Sequence, residues 1–597
     1  MSSNCMVLQV LAISHIAPNR LLVNFFLLVH TMLVTPQSHF HTAPRGRLRQ
    51  RGAAGAAATH RDRGRGCARV ISTTAARSLI ARRPAAAAAG RRRAAGHRPL
   101  LAVGSSDASQ PAGSSSGGPS GEGRMSSAPL LGGGEPERAP SWLGRVVDTE
   151  EARAQLRFAV PMVLTSMAYY GIPLVSVMFS GHLGDVHLAG ATLGNSWATV
   201  TGYAFVTGLS GALETLCGQA YGARLYRMLG LYLQSSLIMS GAVSVLVSAL
   251  WCFTEPVLVF LRQDPEVSRA AASFVRCQIP GLFAFSFLQC LIRYLQTQSV
   301  VAPLVACSVA PFALHVALAH LLVNVLGLGV AGASAAVSAT FWVSCLMLLA
   351  YVTRSKAFAE TWTGFSVEAF KYVLPTVKLA TPSAVMVCLE YWAFELLVLI
   401  AGLLPNSTVS TSLIAMCSST EAIAYMITFG FSAAVSTRVS NEIGAGNVAR
   451  AKNAVSVTLK LSVFLAVSFV ALLALGHTQW ARLFSGSATI VSEFAAIAPL
   501  MAVSIVLDSA QGVLSGVARG CGWQHLAAVT NLVAFYFVGM PLAVLLAFKL
   551  DLRARGLWAG LICGLACQAA ALLVITARTR WSDLIDAMRE EKANYVA

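Results

Sequence analysis

Charge is scarce in this sequence. Asp, Glu, Lys and Arg make up 12% of its 597 residues, where a soluble globule carries about 25%. Hydrophobic residues reach 55%, and mean hydropathy is +0.63. This balance excludes a soluble domain and points to a polytopic membrane protein. GxxxxGK and HExxH are missing, and the one GxSxG, at 113–117, falls in Ser/Gly low complexity, so a phosphate loop, a zinc hydrolase and a serine hydrolase have no anchor. An ATP-driven pump needs a nucleotide domain, for which the chain has no room. No CxxC occurs among the 13 cysteines, most of which fall in apolar runs. They read as small hydrophobes, not as a disulfide or metal framework. Nothing resembles a nucleophile with its base, so the expectation is not an enzyme, with no cofactor and no metal.

The net charge of +18 is a nucleic-acid signal only until it is located. Residues 1–124 hold 17 arginines, no lysine and three acids, Asp62, Asp107 and Glu122. That segment carries +14 and leaves +4 for the rest, which is ordinary for a membrane protein with basic loops. No nucleic-acid partner is expected. The leader has an apolar stretch at 21–34, then Arg/Ala/Gly-rich low complexity, then Ser/Gly around 105–123. It reads as disordered, either a transit peptide or an extension ahead of a true start at Met125.

Apolar runs of helix length recur between residues 156 and 577. Their centres lie near Thr165, Val200, Val243, Phe283, Pro311, Phe341, Val387, Ile423, Val467, Ile505, Val538 and Leu565, giving about twelve transmembrane helices. The fourth and fifth are the least distinct, because Arg293 and Gln298 lie between them. The longest polar connection, 353–376, divides the spans six and six. Eleven basic residues follow even-numbered helices and seven follow odd-numbered ones, which places both termini in the cytoplasm. The expected organisation is leader 1–124, cytoplasmic tail 125–152, N-lobe 153–353, cytoplasmic loop 354–377, C-lobe 378–580 and cytoplasmic tail 581–597.

The halves echo each other. Phe158-Ala159-Val160-Pro161 is matched by Leu379-Ala380-Thr381-Pro382, and Gln219-Ala220-Tyr221-Gly222-Ala223 by Asn441-Glu442-Ile443-Gly444-Ala445. Arg293-x4-Gln298 is matched by Arg519-x4-Gln524, and 329–332 by 556–560. Six helices per repeat is an even number. The repeats therefore share an orientation and relate by a pseudo-two-fold axis along the membrane normal, with a central cleft between two lobes.

Into these runs fall Glu390 and Glu395, within 379–403, and Asp508, within 497–517. A carboxylate at that depth costs at least about 2.5 kcal/mol unless it is paired, protonated or facing a wet cavity. Desolvation favours the neutral acid, which suits a proton carrier or a counter-charge for a cation.

Five segments carry a family resemblance. They are Gly181-His182-Leu183-Gly184, Leu213-Glu214-Thr215-Leu216-Cys217-Gly218-Gln219-Ala220-Tyr221-Gly222-Ala223, Cys388-Leu389-Glu390-Tyr391-Trp392-Ala393-Phe394-Glu395, Ser436-Thr437-Arg438-Val439-Ser440-Asn441-Glu442 and Gly516-Val517-Ala518-Arg519-Gly520-Cys521-Gly522-Trp523-Gln524. From about residue 145 to 585 the chain resembles multidrug and toxic compound extrusion (MATE) transporters, most of all the plant DETOXIFICATION branch. The resemblance implies an all-α fold of two six-helix lobes that exports organic solutes in exchange for protons or sodium. It makes Glu390 and Asp508 coupling acids. Bacterial relatives often carry an Asp in helix one; 161–179 has no acid, which favours the C-lobe and protons over sodium.

Glu395 lies about 140° round the helix from Glu390 at 3.6 residues per turn, so it is expected to bond a neighbouring helix. Glu421 is a further candidate acid at the cleft. Tyr169, Asn195, Tyr391, Trp392, Tyr425, Asn531 and Tyr536 are candidates to line the cleft, since aromatic faces attract organic cations by about 0.5–2 kcal/mol; helix packing is the alternative for each. Glu214 and Arg438 are expected to fasten helix ends and close an inner gate. Pro382, eight residues before Glu390, lets helix seven bend. The expected activity is proton-coupled export of a cationic or amphipathic solute by a monomer, in the plasma or vacuolar membrane, or the plastid envelope if the leader is retained. The alternatives are an organic-anion (citrate-type) exporter and, from another class, a non-transporting sensor or scaffold.

Overall fold

The computed structural model describes residues 148–485 and 487–596. The leader, the start at Met125 and all but the end of the first tail lie outside the described residues. Among those described, regular structure is helical throughout. Twelve spans follow in order: α1 (Thr149–Gly181), α2 (185–222), α3 (Tyr226–Cys252), α4 (Pro265–Thr297), α5 (Ala302–Val325), α6 (Gly329–Arg354), α7 (Phe370–Ala401), α8 (Ser407–Ala445), α9 (Val448–Phe484), α10 (Ala488–Cys521), α11 (Gln524–Lys549) and α12 (Arg553–Arg578). Each expected centre falls inside one of them. Eleven are long and apolar enough to cross a membrane by length and composition. The twelfth, α2, is broken by a π-helical turn at Thr199–Tyr203 and is rich in Gly, Thr and Ser.

The ends follow local chemistry. Asp148 caps α1, its carboxylate accepting from the N–H groups of Glu150 and Glu151 at 3.1 and 3.2 Å. The Asn453 amide and these N–H groups hold that carboxyl below its usual range. Asp264 caps α4, with Pro265 at the first helical position, where its missing N–H costs nothing. Outward-facing Leu246, Leu472 and Leu475 are 70–86% exposed. In water that apolar skin would drive aggregation; against lipid tails it carries no penalty.

Three features depart from or add to the sequence reading. The 353–376 connection is shorter than expected, because α7 begins at Phe370. Within it Arg227 pairs with Glu368 at 2.6 Å, and Gln234 bonds both Gly364 and Ser366. The tail beyond residue 580 forms a helix, α13 (Trp581–Val596), whose Trp581 packs edge-on against Trp523. Arg293 does not separate α4 from α5: it lies inside α4, buried and paired with Glu214 at 2.7 Å.

The lobes α1–α6 and α7–α12 meet across a two-fold contact. A Cβ on Gly222, at the end of α2, would overlap the Asn441 carbonyl, and a Cβ on Gly444, at the end of α8, would overlap that of Gln219. Both pairs are offset by 222 residues, so the same approach is made twice in opposite senses. Only glycine permits it.

Candidate functional site

Because every span reverses direction, α1 begins and α12 ends on one side, here the terminal side; the other is the far side. The halves of the bundle differ. On the terminal side, lobe meets lobe through hydrogen bonds and ion pairs. Arg438 of α8 grips Glu151 of α1 with two bonds, 2.7 and 3.1 Å. Gln155 of α1 donates to the Ala454 carbonyl at 3.0 Å and accepts from the Thr458 hydroxyl. Asn441 of α8 donates to the Thr297 carbonyl at 3.1 Å.

Glu214 sits at the centre of this seal, fully buried and two turns in from the end of α2. It meets Arg293 of its own lobe at 2.7 Å and Arg519 of the other at 3.0 Å. The two arginines occupy matching places in the repeat. The place matching Glu214 is Ser436, whose hydroxyl donates to Glu214 at 2.5 Å. One carboxylate thus serves both halves. Thr215, beside it, bonds the Arg519 carbonyl and receives the Gln524 amide at 2.7 Å.

On the far side the lobes part around a cavity of about 400 Å³. It gathers the acids Glu390, Glu395, Glu421 and Asp508, with Asn195, Tyr391 and Tyr425 from the candidate set. No Lys, Arg or His lines it. A smaller chamber of about 170 Å³ adjoins it, sharing Tyr170, Asn195, Tyr391 and Tyr425, and is walled by Tyr169, Tyr203, Phe285 and Phe341. Arg293 reaches this chamber, its guanidinium carbon 5.2 Å from the Phe429 ring centre.

Glu390 of α7 and Asp508 of α10 are joined through Gln511. Its amide nitrogen donates to Glu390 Oε1 at 2.9 Å and to Asp508 Oδ1 at 2.8 Å. An amide nitrogen carries two hydrogens, one for each acid. The Gln511 oxygen accepts from Ser515 at 3.2 Å, which fixes the amide orientation. Glu421 of α8 accepts from Ser504 at 2.8 Å through Oε2, while Oε1 is buried without a protein partner.

Glu395 does not turn to a neighbouring helix. Residues 390, 391, 394 and 395 all line the cavity, so an arc of about 140° of α7 faces open space and both glutamates fit on it. Three candidates fall elsewhere. Trp392, beyond that arc, donates to the Val200 carbonyl in the π-turn of α2 at 3.1 Å. Asn531 and Tyr536 of α11 donate to the Met386 and Leu389 carbonyls of α7, at 2.9 and 3.1 Å. They hold α11 to α7 and line neither chamber. Glu214 and Arg438 lie in the terminal seal. Among the described residues, no group of three or more His, Cys, Asp and Glu is placed to hold a metal ion. Sequence reasoning missed Gln511, Ser504 and Tyr170. The first had one available signal, its place one helical turn after Asp508.

The MatE family model matches residues 161–321 and 382–545. Protein DETOXIFICATION 18 of Arabidopsis thaliana is 53% identical over 453 residues, 76% of this chain and 97% of that protein. Protein DETOXIFICATION 16 of the same plant is 44% identical over 434 residues, 73% and 89%. The crystal structure of the eukaryotic MATE transporter AtDTX14 superposes with a TM-score of 0.72 at 36% identity, covering 74% of this chain and 99% of that one.

Proposed function

The chain belongs to the MatE family, and from that premise we propose that it is a proton-coupled antiporter exporting organic cations from the cytosol. Family membership makes it a multi-pass membrane transporter of small organic solutes, not an enzyme, with no prosthetic group. The coupling ion, direction and substrate charge are our reading, and one observation carries it. Gln511 ties Glu390 and Asp508 together inside a chamber of four carboxyl groups and no base. Carboxyls in such a place need a proton or a cation from outside.

The terminal side is the cytosolic one, since basic connections favour it. In the conformation described, the cytosolic half is sealed and the chamber lies in the outer half. A proton entering from outside lowers the negative charge of the Glu390–Asp508 pair, which titrates as a unit, and the solute loses part of its counter-charge and leaves. After the lobes rock, the proton departs to the cytosol and the pair accepts a new cation. Plasma membrane and vacuole both offer an acidic far side.

The organic-anion reading has Arg293 in the smaller chamber to support it, but Arg293 is engaged by Glu214 at 2.7 Å, and the adjoining larger chamber is lined by four carboxyl groups and no base. Transport in proteoliposomes tests the assignment, with a fluorescent organic cation, an imposed pH gradient, and wild type beside Glu390→Gln. Gradient-driven accumulation that the variant loses supports it. Full transport in the variant refutes it. Movement driven by sodium alone replaces the ion but keeps the site.

A further inference from the structure

The connection between the lobes, residues 355–369, has two unlike edges. One is pinned to the N-lobe. Phe358 is buried, and Thr361 accepts from the Tyr294 hydroxyl of α4 at 2.7 Å. The Thr361 carbonyl lies so near Gly230 of α3 that a Cβ there would overlap it. The Gln234 side chain donates to the Gly364 carbonyl at 2.8 Å and accepts from the Ser366 N–H at 2.7 Å. This strap is therefore built, with its backbone fixed at 364 and 366.

The other edge is bare. Phe365 and Val367 are each 84% exposed; two apart in extended chain, they share a face. Phe370 and Leu374, on the first turns of α7, are each 64% exposed. Lys371 and Lys378 are exposed beside them, and these four residues of α7 fall within an arc of about 100°. A contiguous apolar patch of this kind marks a contact surface. Its place and its charge identify the partner. α7 has 32 residues, about 48 Å at 1.5 Å per residue, against a hydrocarbon core of about 30 Å. The excess places its first turns among headgroups, where lysines reach phosphates while apolar neighbours dip toward the acyl chains. Of the two acids in the strap, Glu368 is held by Arg227 at 2.6 Å. That leaves Glu360 alone against Arg354, Lys356, Lys371 and Lys378.

We propose that this edge docks an anionic phospholipid of the cytosolic leaflet, with Lys371 and Lys378 on its phosphate and the apolar side chains against its acyl chains. That leaflet supplies negative charge and hydrocarbon together, whereas a soluble phosphate supplies only the charge. The covalent link between the lobes is then tethered to the N-lobe on one edge and to the membrane on the other, and α7 starts from a fixed point at the surface. The docking involves neither the coupling ion nor the solute, so it stands or falls apart from the antiport reading.

The test is lipid binding to the full chain in neutral detergent, followed by native mass spectrometry. The probes are phosphatidylserine and phosphatidylcholine with the same acyl chains, and glycerophosphoserine as the headgroup alone. Each basic residue near an anionic surface contributes about fivefold, so wild type should bind phosphatidylserine about tenfold or more tighter than phosphatidylcholine. Lys371→Gln with Lys378→Gln should bring the two lipids near parity. Phe365→Ser with Val367→Ser should weaken both lipids alike. Arg450→Gln with Lys452→Gln, exposed at the start of α9 and outside the patch, should leave the preference intact. Equal wild-type affinities, a preference untouched by the Lys371/Lys378 pair, or one lost equally in the Arg450/Lys452 pair would overturn the proposal. Competition by glycerophosphoserine at the concentration of the lipid would also overturn it, in favour of a phosphate site.

Discussion

Glu214 and Arg519, in different lobes, are paired at 3.0 Å with side chains 0 and 7% exposed. Attraction between buried charges largely offsets their desolvation, so the pair adds modestly to stability while its rupture is expensive. Glu214→Gln leaves two guanidiniums without a counter-charge. It should destabilise the protein by about 3–5 kcal/mol, read as a fall in melting temperature in detergent. Adding Arg293→Met and Arg519→Met should recover part of the loss. A glutamine variant that melts like wild type would show that the lobes are not latched here.

The two-fold glycine contact gives a steric prediction. Gly444→Val cannot keep the Gln219 backbone where it is, so the terminal side cannot close and transport should be lost, although the helices still insert. Gly222→Val should do the same by the mirrored contact. Gly476→Val, where nothing lies within 4 Å of the added Cβ, should leave transport in proteoliposomes intact.

The spans and the acids of the cavity were legible because both signals are strong. Twenty apolar residues have few alternatives to a membrane helix, and an acid among them is conspicuous. What escaped was polar but uncharged. Gln511 and Ser504 look unremarkable on an apolar helix, and their importance appears only when α7, α8 and α10 bring acids to them. Glu395 was misjudged through a hidden premise, that only a narrow stripe of α7 borders the cleft. Trp392, Asn531 and Tyr536 show the opposite error. Amphipathic residues suit a cleft, yet here they satisfy backbone carbonyls of neighbouring helices.

Gln511 supplies the next prediction. Gln511→Leu removes both hydrogens that separate Glu390 from Asp508. Hydrogen bonds to charged groups contribute about 1.5–3 kcal/mol. Proton-driven transport should slow by about tenfold or more and its pH profile should change, whereas a packing role alone would leave the profile as it is. Gln511→Asn, with the amide drawn back, should fall between the two.

Pro382 lies inside α7, eight residues before Glu390. Having no N–H, it leaves the helix one bond short of a full ladder. Pro382→Ala should restore that bond, stiffen α7 and lower the transport rate while solute binding persists. Unchanged rate and pH dependence would remove bending of α7 from the cycle.

The buried seal has one more consequence. It contains two guanidiniums and one carboxylate, so the plug beneath the chamber is itself positive. A cation resting among the four acids is drawn outward of that plug and repelled by it. On the cation-export reading proposed above, the conformation works as a check valve, closed against backflow by charge of the same sign as the proposed cargo. A neutral solute would meet the steric barrier alone and should leak back more readily.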